Sequence, residues 1–193
     1  MRQLIKSIKT LLGVAFAVLL IILATKQADA QPTAPLPGGL LSWWDGDSVS
    51  GTTVFDIANG INGTLVNGAV TAPGKVGNAF SFDGVNDSVV VPDSNNLDVT
   101  TQFTLNAWIN PGSLQQDPAQ GAIVSKIGGG GGNNGYQFGL TSLNEMLYCQ
   151  FNAAGEPWPT NSLAVTLPSP IPVGQWSHVA CTYDNANLTI CKL

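Results

Sequence analysis

The stretch Gly74–Pro92, GKVGNAFSFDGVNDSVVVP, restricts the fold of this chain more than any other. Val76, Phe80 and Phe82 share one parity, and Val89 and Val91 share one after the polar segment that follows. Period-two alternation of aromatic and β-branched residues is the pattern of half-buried strands. Asp83-Gly84 and Asn86-Asp87 supply a tight turn, because Gly, Asn and Asp tolerate positive φ. Pro92 ends the second strand, having no N–H to give a ladder. Two short strands around a polar turn are therefore expected.

The same signals recur on both sides. Leu40–Trp44 is apolar on both parities, as in a strand covered on both faces. Ser50-Gly51, Asn59-Gly60, Asn62-Gly63 and Asn67-Gly68 are turn signals between short strands. Further on, Phe103, Leu105, Ala107 and Ile109 share one face of a strand and Trp108 takes the other. Strands are expected at Ala122–Lys126, Tyr136–Leu140, Met146–Phe151, Leu163–Leu167 (ended by Pro168–Pro172), Gln175–Asp184 and Asn187–Leu193. The glycine-rich Gly128–Gly135 lacks the Lys-Ser/Thr of a phosphate loop and reads as a connection at a sheet end. Helical periodicity is missing after residue 30. With 22 Gly, 12 Pro and only 10 % charged residues, but five Trp and seven Phe, the composition is that of a turn-rich all-β domain and not of a disordered chain.

Four segments, in order, resemble the laminin G-like jelly-roll family, the concanavalin A-like lectin/glucanase domains. Gly39–Asp45 (GLLSWWD) resembles its opening strand, and Gly74–Pro92 its central motif. Phe103–Pro111 (FTLNAWINP) and Gln175–Asp184 (QWSHVACTYD) resemble two later strands. The resemblance implies an all-β, antiparallel jelly-roll β-sandwich over residues 38–193. It also implies further strands after Asn187–Leu193, so the sandwich is expected to be incomplete at its C-terminal side, as in a truncated fragment. The family is a scaffold with many uses, so it speaks to architecture before function.

Residues 1–30 read as a signal peptide: Arg2, Lys6 and Lys9 precede an uncharged apolar run, Leu11–Ala24, and Ala28-Asp29-Ala30 is a small-x-small cleavage site. Residues 31–37 form a Pro-rich linker. Export to the cell surface, the periplasm or the medium follows, with no stable membrane insertion after cleavage. Beyond residue 30 three lysines (Lys75, Lys126, Lys192) stand against eleven acidic residues. Nucleic acid as a partner needs a basic patch and is excluded by this balance. Neutral glycans and Ca²⁺, a hard cation that prefers oxygen ligands, are compatible with it.

Glucanases of this fold carry E-x-D-x-x-E on one strand, which places carboxyls on one face for two-carboxylate hydrolysis. The chain has only Glu145 and Glu156, in different segments, so it is expected not to be an enzyme. His178 lies within a strand that the family keeps for architecture, and a hydrogen-bonded structural role is favoured over catalysis. Relatives often bind calcium, and Asp56, Asp83 and Asp87 are the candidate ligands; the alternative is that each carboxylate caps its own turn. Trp158, between Pro157 and Pro159, is the candidate sugar-stacking residue, while Trp43, Trp108 and Trp176 read as core. Cys149 and Cys181 fall on strands that can be neighbours and are the candidate disulfide. A hairpin over Asp184–Asn187 places Cys181 opposite Ile190 and turns Cys191 to the other face. The expected function is a secreted, non-catalytic module that binds carbohydrate or an extracellular protein. The alternatives are an accessory domain or degenerate relative of a glycoside hydrolase, and a non-functional fragment.

Overall fold

A computed structural model describes residues 35–112, 121–127, 135–141, 146–152, 163–185 and 187–192. The compact unit that carries the fold is Gly39–Leu193. Its strands in chain order are β1 Trp44–Ser50, β2 Thr53–Asp56, β3 Gly63–Val66, β4 Val70–Pro73, β5 Asn78–Ser81, β6 Ser88–Val90, β7 Gln102–Ile109, β8 Gly121–Ile127, β9 Gly135–Leu140, β10 Met146–Asn152, β11 Leu163–Pro170, β12 Ser177–Asp184 and β13 Asn187–Lys192. One 3-10 turn, Asn95–Leu97, leads into β7. All strand pairs are antiparallel.

The strands form an N-terminal sheet in the order β1-β2-β3-β6, a two-stranded ribbon β4-β5, a three-stranded sheet β13-β12-β7 and a C-terminal sheet β11-β10-β9-β8. The last two face each other. Leu105, Ala107 and Ile109 from β7, Val179 and Cys181 from β12 and Ile190 from β13 meet Phe138 of β9 and Leu147 and Cys149 of β10, with Ile171 closing one end. Beside them Phe103, Tyr136, Phe151 and Tyr183 form an aromatic cluster, with ring centroids 4.3–5.5 Å apart. Each such side chain removed from water contributes roughly 1.5–3 kcal/mol. Period two in the sequence thus becomes an inner face of Phe103, Val179, Cys181 and Tyr183 and an outer face of Thr104, Trp108 and Thr182.

The disulfide Cys149–Cys181 joins β10 to β12 across this sandwich, with Cα atoms 6.2 Å apart, within the range that bridges allow. The hairpin register is Tyr183 opposite Leu188 and Cys181 opposite Ile190, and Cys191 is an exposed free thiol on the outer face.

Three local expectations need correction. The strand foreseen at Leu40–Trp44 begins only at Trp44 and runs on through Asp45–Ser50, leaving Leu41 and Trp43 exposed. Gly46 is the reason β1 and β5 can approach there: a Cβ would lie 2.4 Å from the Asn78 carbonyl carbon. The two strands of Gly74–Pro92 exist, but they belong to different sheets, β5 pairing with β4 and β6 with β3. Val76 and Phe82 fall outside β5 and stay exposed, so only Phe80 of that parity reaches the small core of Val54, Leu65 and Ala69. Finally, β11 continues through Pro168 to Pro170. It is an edge strand whose register shifts between Met146 and Tyr148 of β10, the setting in which a strand tolerates proline.

Candidate functional site

The outer face of the three-stranded sheet carries the most suggestive surface. Register aligns Gln102 with Asp184 and Asn187, Thr104 with Thr182 and Thr189, Asn106 with Ala180 and Cys191, and Trp108 with His178. Gln102 Nε2 donates to Asp184 Oδ1 at 2.6 Å, and the Thr104 and Thr182 hydroxyls lie 3.1 Å apart. Trp108 is 49 % exposed, its ring centroid 5.2 Å from that of His178. From Trp108 to the far row at Gln102 the strip extends roughly 20 Å, at about 3.3 Å per residue. Hydroxyls and amides dominate it, with the Trp108 indole beside His178 at one end and Asp184 at the other.

Trp108 is therefore not core. Its parity in the sequence already set it opposite Phe103, Leu105 and Ala107; the strand motif argued otherwise, and parity prevails. Trp43, also expected in the core, is 46 % exposed, and Trp176 is half-buried. Trp158, Glu145 and Glu156 lie outside the described residues. His178 rests beside the Trp108 ring on the sheet's outer face; among the described residues its side chain makes no hydrogen bond.

Asp56 is buried at the end of β2 and organises the loop that follows. Its Oδ1 accepts the N–H groups of Trp43 (2.8 Å) and Ala58 (3.0 Å), and its Oδ2 that of Ile61 (3.1 Å). Burial pushes this carboxyl up, but the three N–H donors, together with the Ser42 side chain, outweigh it and hold the group below its ordinary value. Asn62 Oδ1 accepts the Asp56 N–H in return, and Asn59 Nδ2 binds the carbonyls of Leu40 and Leu41. This is the turn-capping arrangement, and a cation at Asp56 would have to compete with three N–H groups for its lone pairs.

Asp83 and Asp87 share one exposed turn. Asp83 Oδ1 accepts the Val85 N–H at 2.8 Å, and Asp87 Oδ2 accepts the Asp83 N–H at 3.1 Å. Asp87 Oδ1 is buried against Gly68 and has no hydrogen-bond partner among the described residues. Among the described residues no group of three or more His, Cys, Asp or Glu is gathered as a metal centre.

The outer face of the C-terminal sheet differs in kind. There Tyr148, of opposite parity to Leu147 and Cys149, is buried, and among the described residues its hydroxyl has no partner. Desolvation by burial pushes its phenol up to about 12. Its ring lies over Gly139, where a Cβ would come within 3.0 Å of Cε1. Next along β10, Gln150 Nε2 donates to Gln137 Oε1 at 2.5 Å.

Among solved structures, the chain is similar to residues 221–444 of an S-layer domain-containing protein from Clostridium thermocellum, with 24 % identity and a TM-score of 0.54 over 78 % of this chain and 67 % of that one. That similarity supports the fold alone. No curated protein matches the sequence. The family model of laminin G type for the concanavalin A-like lectin/glucanases superfamily matches residues 83–191, from the Asp83 turn to Cys191. With more than half of its length matched and an antiparallel β-sandwich observed, the chain belongs to the concanavalin A-like lectin/glucanases superfamily.

Proposed function

We propose that the protein is an exported, non-catalytic module that binds a polysaccharide along the outer face of the three-stranded sheet. The observation that carries the proposal is the half-exposed indole of Trp108 at the head of an uncharged strip of Asn106, Thr104, Thr182, Thr189 and Gln102. A pyranose offers a C–H face to an indole, and its hydroxyls both donate and accept, which matches side chains that do the same. No chemistry of bond cleavage is assigned to this face: the one carboxylate among its aligned rows, Asp184, is bound by Gln102. The test is binding of exported protein to a panel of polysaccharides, with a hydrolysis assay on the same material. Retention by at least one polysaccharide, lost in Trp108→Ala at unchanged melting temperature, supports the reading. Release of reducing ends, or binding indifferent to Trp108→Ala, overturns it.

Calcium enters this proposal as a structural ion only. Asp83 with Asp87 Oδ1, the buried oxygen without a partner among the described residues, is the pair that would hold it. There it would tie the β5–β6 connection without acting on ligand.

A further inference from the structure

We infer that the sugar bound at the Trp108 face carries a carboxylate, and that Lys75 reads this charge. The inference rests on the proposed polysaccharide binding and adds the ligand's chemical class. Lys75 Nζ stands 5.4 Å from the centroid of the Trp108 ring. Of the three lysines after residue 30, Lys126 is held between Asp93 and Asp98, at 2.5 and 2.7 Å, and Lys192 lies on the edge strand β13. Lys75 is exposed and makes no ion pair among the described residues. The chain thus places one of its few ammonium groups, without a carboxylate partner among the described residues, on the indole of the polar strip.

That placement is built into the backbone. Lys75 sits in the tight connection between β4 and β5, closed by the Gly74 N–H donating to the Gly77 carbonyl at 2.8 Å. Asp47 of β1 clamps the connection, its Oδ1 accepting both the N–H and the Nδ2 of Asn78 at 2.9 and 2.8 Å. Gly77 has φ +58° and lies against the Asp47 carboxylate, so an L side chain is excluded there by conformation and by space. The hydrogen bonds of Asp47 are directed at Asn78. Asp184 lies at the far end of the strip, bound to Gln102.

In the free protein the ammonium covers the indole face. An exposed cation–π contact is weak and of the same order as an exposed Lys–carboxylate ion pair, so Lys75 exchanges one for the other at little cost. A uronate ring therefore draws Lys75 off the indole, takes the uncovered face, and keeps the ammonium on its carboxylate. A neutral sugar must displace Lys75 and receives nothing from it. The acidity of the rest of the chain opposes polyanions at long range, so binding is expected to depend on this one contact and to weaken as salt rises.

The test compares polygalacturonate with its fully methyl-esterified form, in which the ring is kept and the charge removed, against the whole exported protein by affinity electrophoresis or calorimetry. The expected result is severalfold tighter binding of the acid form, with the difference shrinking as salt is raised. The preference should vanish in Lys75→Gln, persist in Lys75→Arg, and disappear with all binding in Trp108→Ala. Equal binding of both forms, unchanged in Lys75→Gln, overturns the inference and leaves the polysaccharide reading standing. Failure to bind either form while neutral glucans bind through Trp108 overturns it as well. Failure with every polysaccharide overturns both.

Discussion

Replacing Tyr148 by Phe should stabilise this protein, an unusual direction for a core substitution. The phenol ring is packed on β10 over Gly139, and its buried hydroxyl has no donor or acceptor among the described residues. Leaving such a group dry costs ~1–3 kcal/mol. Phe keeps the ring and removes the group that incurs the cost, without opening a cavity of more than one oxygen. For a domain of this size 1 kcal/mol corresponds to roughly 2–4 °C, so a rise of about 2–12 °C in melting temperature is expected, with an unchanged denaturant m-value. Thermal and urea unfolding of both proteins under identical redox conditions measure it. Alkaline titration is the second readout. With the folded-state phenol raised to about 12 above an unfolded value near 10, stability is fully present below about pH 10 and is lost as pH rises toward 12. Tyr148→Phe should lose less stability over that window. A drop in melting temperature on substitution, or a Tyr148 phenol that titrates near pH 10, would refute the account of a dry, unpaired hydroxyl.

Asp56→Ala should cost ~1–3 kcal/mol, because three N–H groups of a part-buried loop lose their acceptor; urea unfolding at neutral pH measures it. As this carboxyl is held below its ordinary value in the folded state, its contribution is present above about pH 3.9 and is lost as pH falls through the lower folded value. Acid unfolding of Asp56→Asn should show a shallower pH dependence in that range. Removing the Cys149–Cys181 bridge, whose ends are 32 residues apart, should cost about 3–4 kcal/mol by loop closure. Unfolding with and without reductant in a Cys191→Ser background, which prevents thiol exchange, checks this figure. Millimolar Ca²⁺ should raise the melting temperature and a chelator lower it, by mass action on the folded state, and Asp87→Asn should abolish the difference; identical curves under all conditions exclude the Asp83–Asp87 site.

Much of this fold is determined by the sequence alone, and the physical reason is local. Period two sorted Phe103, Leu105, Ala107 and Ile109 from Trp108, because adjacent side chains on a strand must point to opposite faces. Hairpin arithmetic over Asp184–Asn187 placed Cys181 opposite Ile190 and turned Cys191 outward, and the observed register agrees. Asn67-Gly68 announced its turn, since both residues adopt positive φ there, +61° and +115°. What tertiary structure alone decided is which surface covers which. Phe82 and Val76 carry the alternation of a buried strand and yet are exposed, because burial depends on a neighbouring sheet that no local pattern encodes. The partition of β5 and β6 into different sheets is equally silent in the sequence, as strand partners are chosen by long-range closure. The N–H groups of Trp43, Ala58 and Ile61 converge on Asp56 from two segments of the chain, a convergence that no local pattern encodes. The meeting of Lys75 with Trp108 is of the same kind: 33 positions apart in sequence, they are joined only because Asp47 and two glycines hold the β4–β5 turn over the outer face of β7.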